Sequence, residues 1–484
     1  MEINPEIFKA YDIRGVYPKE INKKIALQIG RAFYEFLKKK RKKALTIVVG
    51  RDNRLSSNIL AKALKTGIKI QGGRVIDIGL STTPMLYFGV IFLGADGGIN
   101  VTASHNPPEY NGFKPVREKA VPLSGDTGIY KIREMVQKDK IVARKTRGEE
   151  VKKNILNEYI NFNLKFLDRS KILPFKIVVD TANAVCGVLI KELAKKLKRI
   201  YPERGRRIKI YHLFAELDGR FPNHNPDPLE KENLKFLQKE VLKRKADFGI
   251  GLDGDGDRII FVDEKARTIS GDLITALIAK RILQERPGEK ILYDIRSSRV
   301  VKEIIKENRG LPILSRVGHS FIAQKLIEKD AFFGGEFSGH YYLKIKEDAF
   351  SEVPLFALFK IMEELSRQRK PLSKLVVPYQ KYVSSGEINF KIQDKKGAMK
   401  KVENYFLSKA KKTSVLRAKR AGSYFKRKKG FKLSHLDGVK IEAKEFWILV
   451  RPSNTEPLLR LSIEANNKKI LNQKIKEVKR VLGV

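Results

Sequence analysis

Asp253-Gly254-Asp255-Gly256-Asp257-Arg258 sets three carboxylates at alternating positions. The glycines between them carry no Cβ, so the segment can curl and aim the acids at one point. Clustered carboxylates repel one another unless a cation lies between them. All-oxygen donors favour Mg2+, Ca2+ or Mn2+. The acids also fit the first ligand positions of an EF-hand, with Glu264 at its end, but Arg258 stands where that loop needs glycine. Gly249-Ile250-Gly251-Leu252-Asp253-Gly254 fits a G-x-G-x-x-G spacing, yet no helix follows and the acids would repel a pyrophosphate. A divalent-cation loop is the better reading.

Three further stretches carry polar chemistry. In Thr102-Ala103-Ser104-His105-Asn106-Pro107, an apolar run, Gly97–Val101, leads in like a buried strand. Pro107-Pro108 then forbids a helix. Ser104 is therefore expected on a tight, exposed loop at a strand end, where open α/β sheets keep their chemistry. Arg451-Pro452-Ser453-Asn454-Thr455-Glu456-Pro457 lies between the strands Phe446–Val450 and Leu459–Ile463. Backbone N–H groups, hydroxyls and arginine in such a loop suit a phosphate. Gly335-Glu336-Phe337-Ser338-Gly339-His340 offers a carboxylate, a hydroxyl and an imidazole, a set able to hold vicinal hydroxyls of a sugar. Its spacing is not that of a nucleophile elbow. Gly318-His319-Ser320 precedes an expected helix from Phe321, while His212, His224 and His435 have no assigned role.

The elements that must position these stretches repeat. Ile47–Asp52, Ile177–Ala182 and Ile291–Arg296 are apolar strands running into polar turns. Helices are expected after each, over Ser57–Ile68, Val188–Leu197 and Val300–Glu307. Strand then helix, repeated, predicts parallel pairing with right-handed crossovers. Each unit later reaches a second strand that ends on one of the polar loops: Ala95–Ile99 before Ser104, Ala246–Ile250 before Asp253, and Asp330–Gly334 before Glu336. Three related α/β units with mixed sheets are expected. After about residue 376 the texture changes to strands over Tyr382–Ile392 and Lys440–Val450 and a closing helix over Asn466–Leu482. This predicts a smaller C-terminal α+β unit. The expected divisions are 1–150, 151–262, 263–376 and 377–484, arranged around a central cleft.

The composition bounds the function. At 484 residues the chain is too long for one core. Its 99 Lys and Arg against 55 Asp and Glu give a net charge of +44. Such a charge raises nucleic acid as a partner, with clusters at Lys38–Lys43 and Lys426–Lys429. These sit at turns, without the interleaved aromatics that stack bases, so no specific nucleic acid is expected and the charge reads as surface. A single cysteine, Cys186, excludes an intrachain disulfide framework and fits a reducing, cytoplasmic setting. No apolar run is long enough to span a membrane, and Met1–Pro5 has no signal-peptide pattern.

Taken together, the motifs resemble the α-D-phosphohexomutase superfamily, most of all its phosphomannomutase/phosphoglucomutase group. Five segments match in order: Lys9–Gly15, Thr102–Lys114, Asp253–Arg258, Gly335–His340 and Arg451–Pro457. The resemblance implies a mutase that interconverts hexose 6-phosphate and hexose 1-phosphate through a phosphoserine and a hexose 1,6-bisphosphate. It implies that Ser104 carries the phosphoryl group and that Asp253, Asp255 and Asp257 hold Mg2+ with a phosphoserine oxygen. Glu336 and Ser338 would bind sugar hydroxyls. Arg451, Ser453, Asn454, Thr455 and Arg460 would grip the unreacting phosphate. Tyr11, Arg14, Lys114, Arg258, Arg296, Gly318, His319 and His340 would line the cleft, with Lys114, Arg14 and His105 as candidates for proton transfer. The partner would be a small phosphosugar and the chain a monomer or dimer. A glucosamine-phosphate mutase of the same superfamily and a basic nucleic-acid binder are the alternatives.

Overall fold

The computed structural model describes residues 3–484 apart from 39–42, 171, 202–207, 347–348, 410–424, 429 and 454–457. Its strands form four sheets. In the first, strand Thr46–Arg51 pairs in parallel with Arg74–Leu80 on one side and Gly97–Val101 on the other. Gly97–Val101 then pairs antiparallel with Tyr110–Arg117. Ile13–Val16 and Glu150–Lys152 complete the edges.

The second and third sheets reproduce this centre. Lys176–Asp180 lies parallel to Lys209–Leu213 and Phe248–Leu252, and Phe248–Leu252 turns back antiparallel into Ile259–Asp263. Lys290–Asp294 lies parallel to Leu311–Ser315 and Phe333–Gly335, which turns back into Tyr341–Lys346. The expected internal repeat is present, and each of the three polar loops occupies the same topological place. The repeat extends to side chains. Asp96 and Asp247 each accept from the N–H of the first residue of their central strand, Thr46 at 2.9 Å and Lys176 at 2.7 Å.

The fourth sheet is wholly antiparallel, with Val383–Phe390, Leu459–Ala465 and Phe446–Pro452 on one side. The single strand expected over Lys440–Val450 is two. Val439–Glu442 and Phe446–Pro452 pair as a hairpin around residues 443–445. The apolar pattern reads on across this polar turn, which is why the break is easily missed. The closing helix is Lys468–Leu482, capped by Asn467.

Helices cover the α/β sheets because their apolar residues fall on one face. Lys23–Lys38 buries Ile25, Ala26, Ile29, Ala32 and Phe33, at the three- and four-residue spacing of a helix stripe. It meets helix Ser57–Ile70 at backbone distance: a Cβ at Gly30 would overlap the Leu64 carbonyl, and one at Gly67 the Leu27 carbonyl. One continuous apolar core runs through the first three sheets, joining Val48, Tyr159, Ile177, Phe261, Ile291 and Phe359 among others. Close packing transmits position, so loops borne by different sheets are held in fixed relation. A small cluster of Ile295, Trp447 and Leu449 ties the fourth sheet to the third. Among the described residues no helix is long and apolar enough to cross a membrane.

Candidate active site

Three loops from three sheets meet, and the fourth sheet brings Arg451 near them. Ser104 lies just beyond strand Gly97–Val101 with φ +52, a left-handed conformation. Its Oγ donates to Asp253 Oδ2 at 2.9 Å and lies 3.2 Å from His105 Nδ1. The serine is not exposed as expected; it retains 2% of its surface. The cause is the second sheet, whose aspartate loop packs on it so closely that a Cβ at Gly254 would overlap the Ser104 carbonyl oxygen.

Asp253, Asp255 and Asp257 are buried and present carboxylate oxygens within 4.8 Å of one another. Glycine makes the curl possible: Gly256 takes φ +70 and seats the loop on Cys186 and Thr82, where a Cβ would strike the Cys186 sulfur. The loop is tied internally by Asp253 Oδ1, which accepts from the N–H groups of Asp257 at 3.0 Å and Arg258 at 3.2 Å. It is tied to the first sheet through Thr83, whose N–H donates to the Asp255 carbonyl at 2.8 Å and whose hydroxyl donates to Asp255 Oδ2. Lys114 Nζ bridges Asp255, at 2.7 Å, and Asp257.

The electrostatics show an incompletely balanced cluster. Burial pushes the Asp253 carboxyl well above its ordinary value, and Asp257 and Asp255 add to the effect. Burial would also raise Asp257, but the Lys114 ammonium and the His340 imidazolium more than offset it and hold that acid well below the usual range. Asp255 Oδ1 is buried with no hydrogen-bond partner among the described residues. An orphaned oxygen beside an acid that resists ionisation fits a divalent cation within this all-oxygen set.

The third loop adjoins the acids. Burial disfavours charge on His340, but Asp257, 3.2 Å from Nε2, and Glu336, 3.1 Å from Nδ1, raise it to about 10. His340 Nδ1 is also 3.0 Å from Ser338 Oγ. Glu336 is lowered to about 2: burial opposes this, and His340 and Arg296 outweigh it. Arg296 Nη2 donates to Asp294 at 2.7 Å and to Ser338 Oγ at 3.2 Å. Gly318 N–H donates to Glu336 Oε1 at 3.4 Å. Beside it, His319 opens helix His319–Lys329, packs edge-on against Tyr11 at 5.4 Å and is lowered to about 4 by burial and Lys114.

Arg14 donates to Asp12 and Asn106, so the first strand braces the serine loop. His105 is pushed well below its ordinary value by burial, with the Arg258 and Arg14 guanidiniums adding to it. Arg258 faces Asp227 at 3.7 Å and Asp253 at 3.9 Å. The fourth sheet supplies Arg451 and Arg460, which share Glu387 at 2.8 Å each. Burial and Asp12 raise the Tyr11 hydroxyl above its ordinary value, and Arg14 and Arg451 lie close enough to oppose them in part. Ser453 N–H donates to the Leu458 carbonyl at 2.8 Å, while Asn454 and Thr455 lie outside the described residues.

Two further residues, Arg54 and Glu352, belong to no motif singled out in the sequence. Arg54 is fully buried and donates to four carbonyls of the serine loop. Its signal is the spacing Asp52-x-Arg54, which matches Asp294-x-Arg296 in the repeat. Glu352 is buried beside Asp257 and His340 with both oxygens unpartnered among the described residues. A lone glutamate in strand Ala349–Glu352 carries no sequence signal.

Comparison with known proteins agrees with this geometry. Family models for phosphoglucomutase/phosphomannomutase match along the chain: alpha/beta/alpha domain I over residues 5–142, domain II over 155–267, domain III over 270–382 and the C-terminal domain over 387–481. The chain belongs to the phosphoglucomutase/phosphomannomutase family. It is 39% identical to a phosphomannomutase of Methanocaldococcus jannaschii over 481 residues, 99% of this chain and 97% of that one. It is 36% identical to a phosphomannomutase of Vibrio cholerae, covering 98% of each. A solved phosphoglucomutase/phosphomannomutase family protein of Burkholderia thailandensis superposes with TM-score 0.83 at 30% identity, covering 99% of this chain and 98% of that one. As a family member the chain is an enzyme, a phosphohexomutase, and the nucleic-acid alternative is not favoured.

Proposed function

We propose that the chain interconverts the 6- and 1-phosphates of mannose and glucose by way of phosphorylated Ser104. The observation that carries this is the direct contact of the Ser104 hydroxyl with the clustered aspartates, 2.9 Å to Asp253. Mannose is favoured by the names of the relatives. Asp253, Asp255 and Asp257 would hold Mg2+, whose chemistry there is to neutralise charge on the transferring phosphoryl oxygens.

The chain's own residues do the rest. Lys114 and Arg258 bring fixed positive charge to the reacting end, where phosphoryl transfer depends on electrostatic stabilisation. Glu336 and Ser338 present an ionised carboxylate and a hydroxyl to the sugar. Arg451 and Arg460, pre-aimed by Glu387, take the phosphate at the far end with Ser453, Asn454 and Thr455. For a 1,6-bisphosphate to return its other phosphate to Ser104, that grip must accept either end, and a paired-arginine site suits both. His105 contacts Ser104 Oγ directly, while Lys114 and Arg14 are the other candidates for moving the proton.

A coupled assay with mannose, glucose and glucosamine phosphates tests the reading. Mannose and glucose phosphates should turn over, and Ser104→Ala should abolish exchange between C1 and C6. Retained exchange in that variant, or turnover of glucosamine phosphate alone, contradicts it.

A further inference from the structure

We infer that Arg54 is a positioning residue for Ser104, the first-sheet copy of a device that Arg296 supplies in the third. This rests on the reading of Ser104 as the phosphoryl carrier. The observation behind it is a repeated pattern of bonds. At the end of one central strand, Asp52 Oδ1 accepts from Arg54 N–H at 3.0 Å and Oδ2 from Arg54 Nε at 3.2 Å. At the end of another, Asp294 Oδ1 accepts from Arg296 N–H at 2.6 Å and Oδ2 from Arg296 Nε at 3.2 Å. In both, the aspartate aims the guanidinium of the residue two places on. In both, the guanidinium crosses to the polar loop that follows the neighbouring strand.

What the two arginines meet there differs. Arg296 reaches a side chain, Ser338 Oγ. Arg54 reaches only backbone: Nη2 donates to the carbonyls of Ser104, at 2.8 Å, and Asn106, and Nη1 to those of Tyr110, at 3.1 Å, and Pro107. A guanidinium has five N–H donors. With Asp52 on Nε, all five of Arg54 are engaged, so none is left for a substrate phosphate. Phe221 of the second sheet's unit lies 5.0 Å from the guanidinium and covers it.

This grip answers a local need. Ser104 holds a left-handed φ of +52, a conformation that a non-glycine residue keeps only where its surroundings over-determine it. Prolines 107 and 108 bring no N–H to bond the loop's own carbonyls. The second sheet shows the contrast. Ala182 stands two places after Asp180, which instead faces His224 at 3.1 Å. There the polar loop closes on itself through Asp253. The serine loop has two backbone bonds of its own, Asn106 N–H to the Ala103 carbonyl and Tyr110 N–H to the Pro107 carbonyl, each at 3.1 Å, and Arg54 adds the bonds that hold the Ser104 and Asn106 carbonyls.

The test uses the full chain with Arg54→Lys and Arg54→Met, measuring kcat, KM and the rate at which hexose 1,6-bisphosphate phosphorylates Ser104. Lysine has three donors for five acceptors. A misplacement of about 1 Å near a reacting atom costs on the order of 100-fold in rate. We expect kcat to fall about 100-fold in Arg54→Met and about tenfold in Arg54→Lys, scaling from that figure. KM should stay within about twofold, since no Arg54 donor reaches substrate. Phosphorylation of Ser104 should slow in step with kcat. If Arg54→Met does not fold, Arg54→Lys decides by the same readings. Wild-type kcat in a folded variant, or a raised KM with kcat kept, overturns the inference. Ser104→Ala in the same assays separates the two claims: exchange retained there refutes the phosphoryl-carrier reading, whereas an inactive Ser104→Ala beside fully active Arg54 variants refutes the positioning role alone.

Discussion

Lys114 sits between two buried acids, 2.7 Å from Asp255 and in contact with Asp257. Burial would strip its charge, but these carboxylates raise it far above the ordinary lysine value. Removing one partner of a buried ion pair strands the other, at about 3–5 kcal/mol. Lys114→Met should therefore melt well below wild type in metal-free buffer, and added Mg2+ should restore part of the loss. Equal melting with and without Mg2+ would count against a cation site in the aspartate loop. A second residue gives a pH signature. Burial works against charge on His224, but Asp180 overrides it and raises the imidazole above 6.5. The pair's stabilisation is then complete below pH 6.5 and lost as pH rises through the folded value. His224→Gln should flatten stability over that range, read by denaturant melts at several pH values.

At the scale of elements, the polar loops were legible because their chemistry is local: clustered aspartates with glycines between them, a serine before two prolines. The repeat was legible because Ala95–Ile99, Ala246–Ile250 and Asp330–Gly334 share texture, and they do occupy one topological place. Arg54 was legible only as the spacing Asp52-x-Arg54 repeated in Asp294-x-Arg296; its partners were not, since they are main-chain carbonyls about fifty residues on. The burial of Ser104 was not either, because it depends on a loop from another sheet. That contact gives a prediction. A methyl group at Gly254 would overlap the Ser104 carbonyl, and overpacking of this kind costs about 1–3 kcal/mol. Gly254→Ala should lower kcat far more than it lowers the melting temperature, as it separates hydroxyl from acids. Unchanged kcat would mean that the two loops need not touch.

Across the whole molecule, the fourth sheet docks on the third through polar contacts. Arg299 reaches Glu464 at 3.3 Å, the Lys444 carbonyl at 3.0 Å and the Tyr382 ring at 4.5 Å. Glu464 also accepts from Trp447 Nε1 at 2.8 Å, and Lys440 donates to the Ile295 carbonyl at 2.7 Å, one residue before Arg296. Arg299→Ala should loosen the unit that bears Arg451 and Arg460, raising KM for hexose phosphate more than it lowers kcat. The net charge of +44 adds a field that draws in anions, so kcat/KM should fall as salt is raised.

The whole account depends on a single covalent event at one hydroxyl. Incubation with phosphorus-labelled hexose 1,6-bisphosphate, followed by digestion and peptide mapping, reads it directly. The label should sit on the peptide containing Ser104 and leave it when unlabelled hexose monophosphate is added. Label on another peptide, or a turning-over enzyme that never takes up label, would contradict the account.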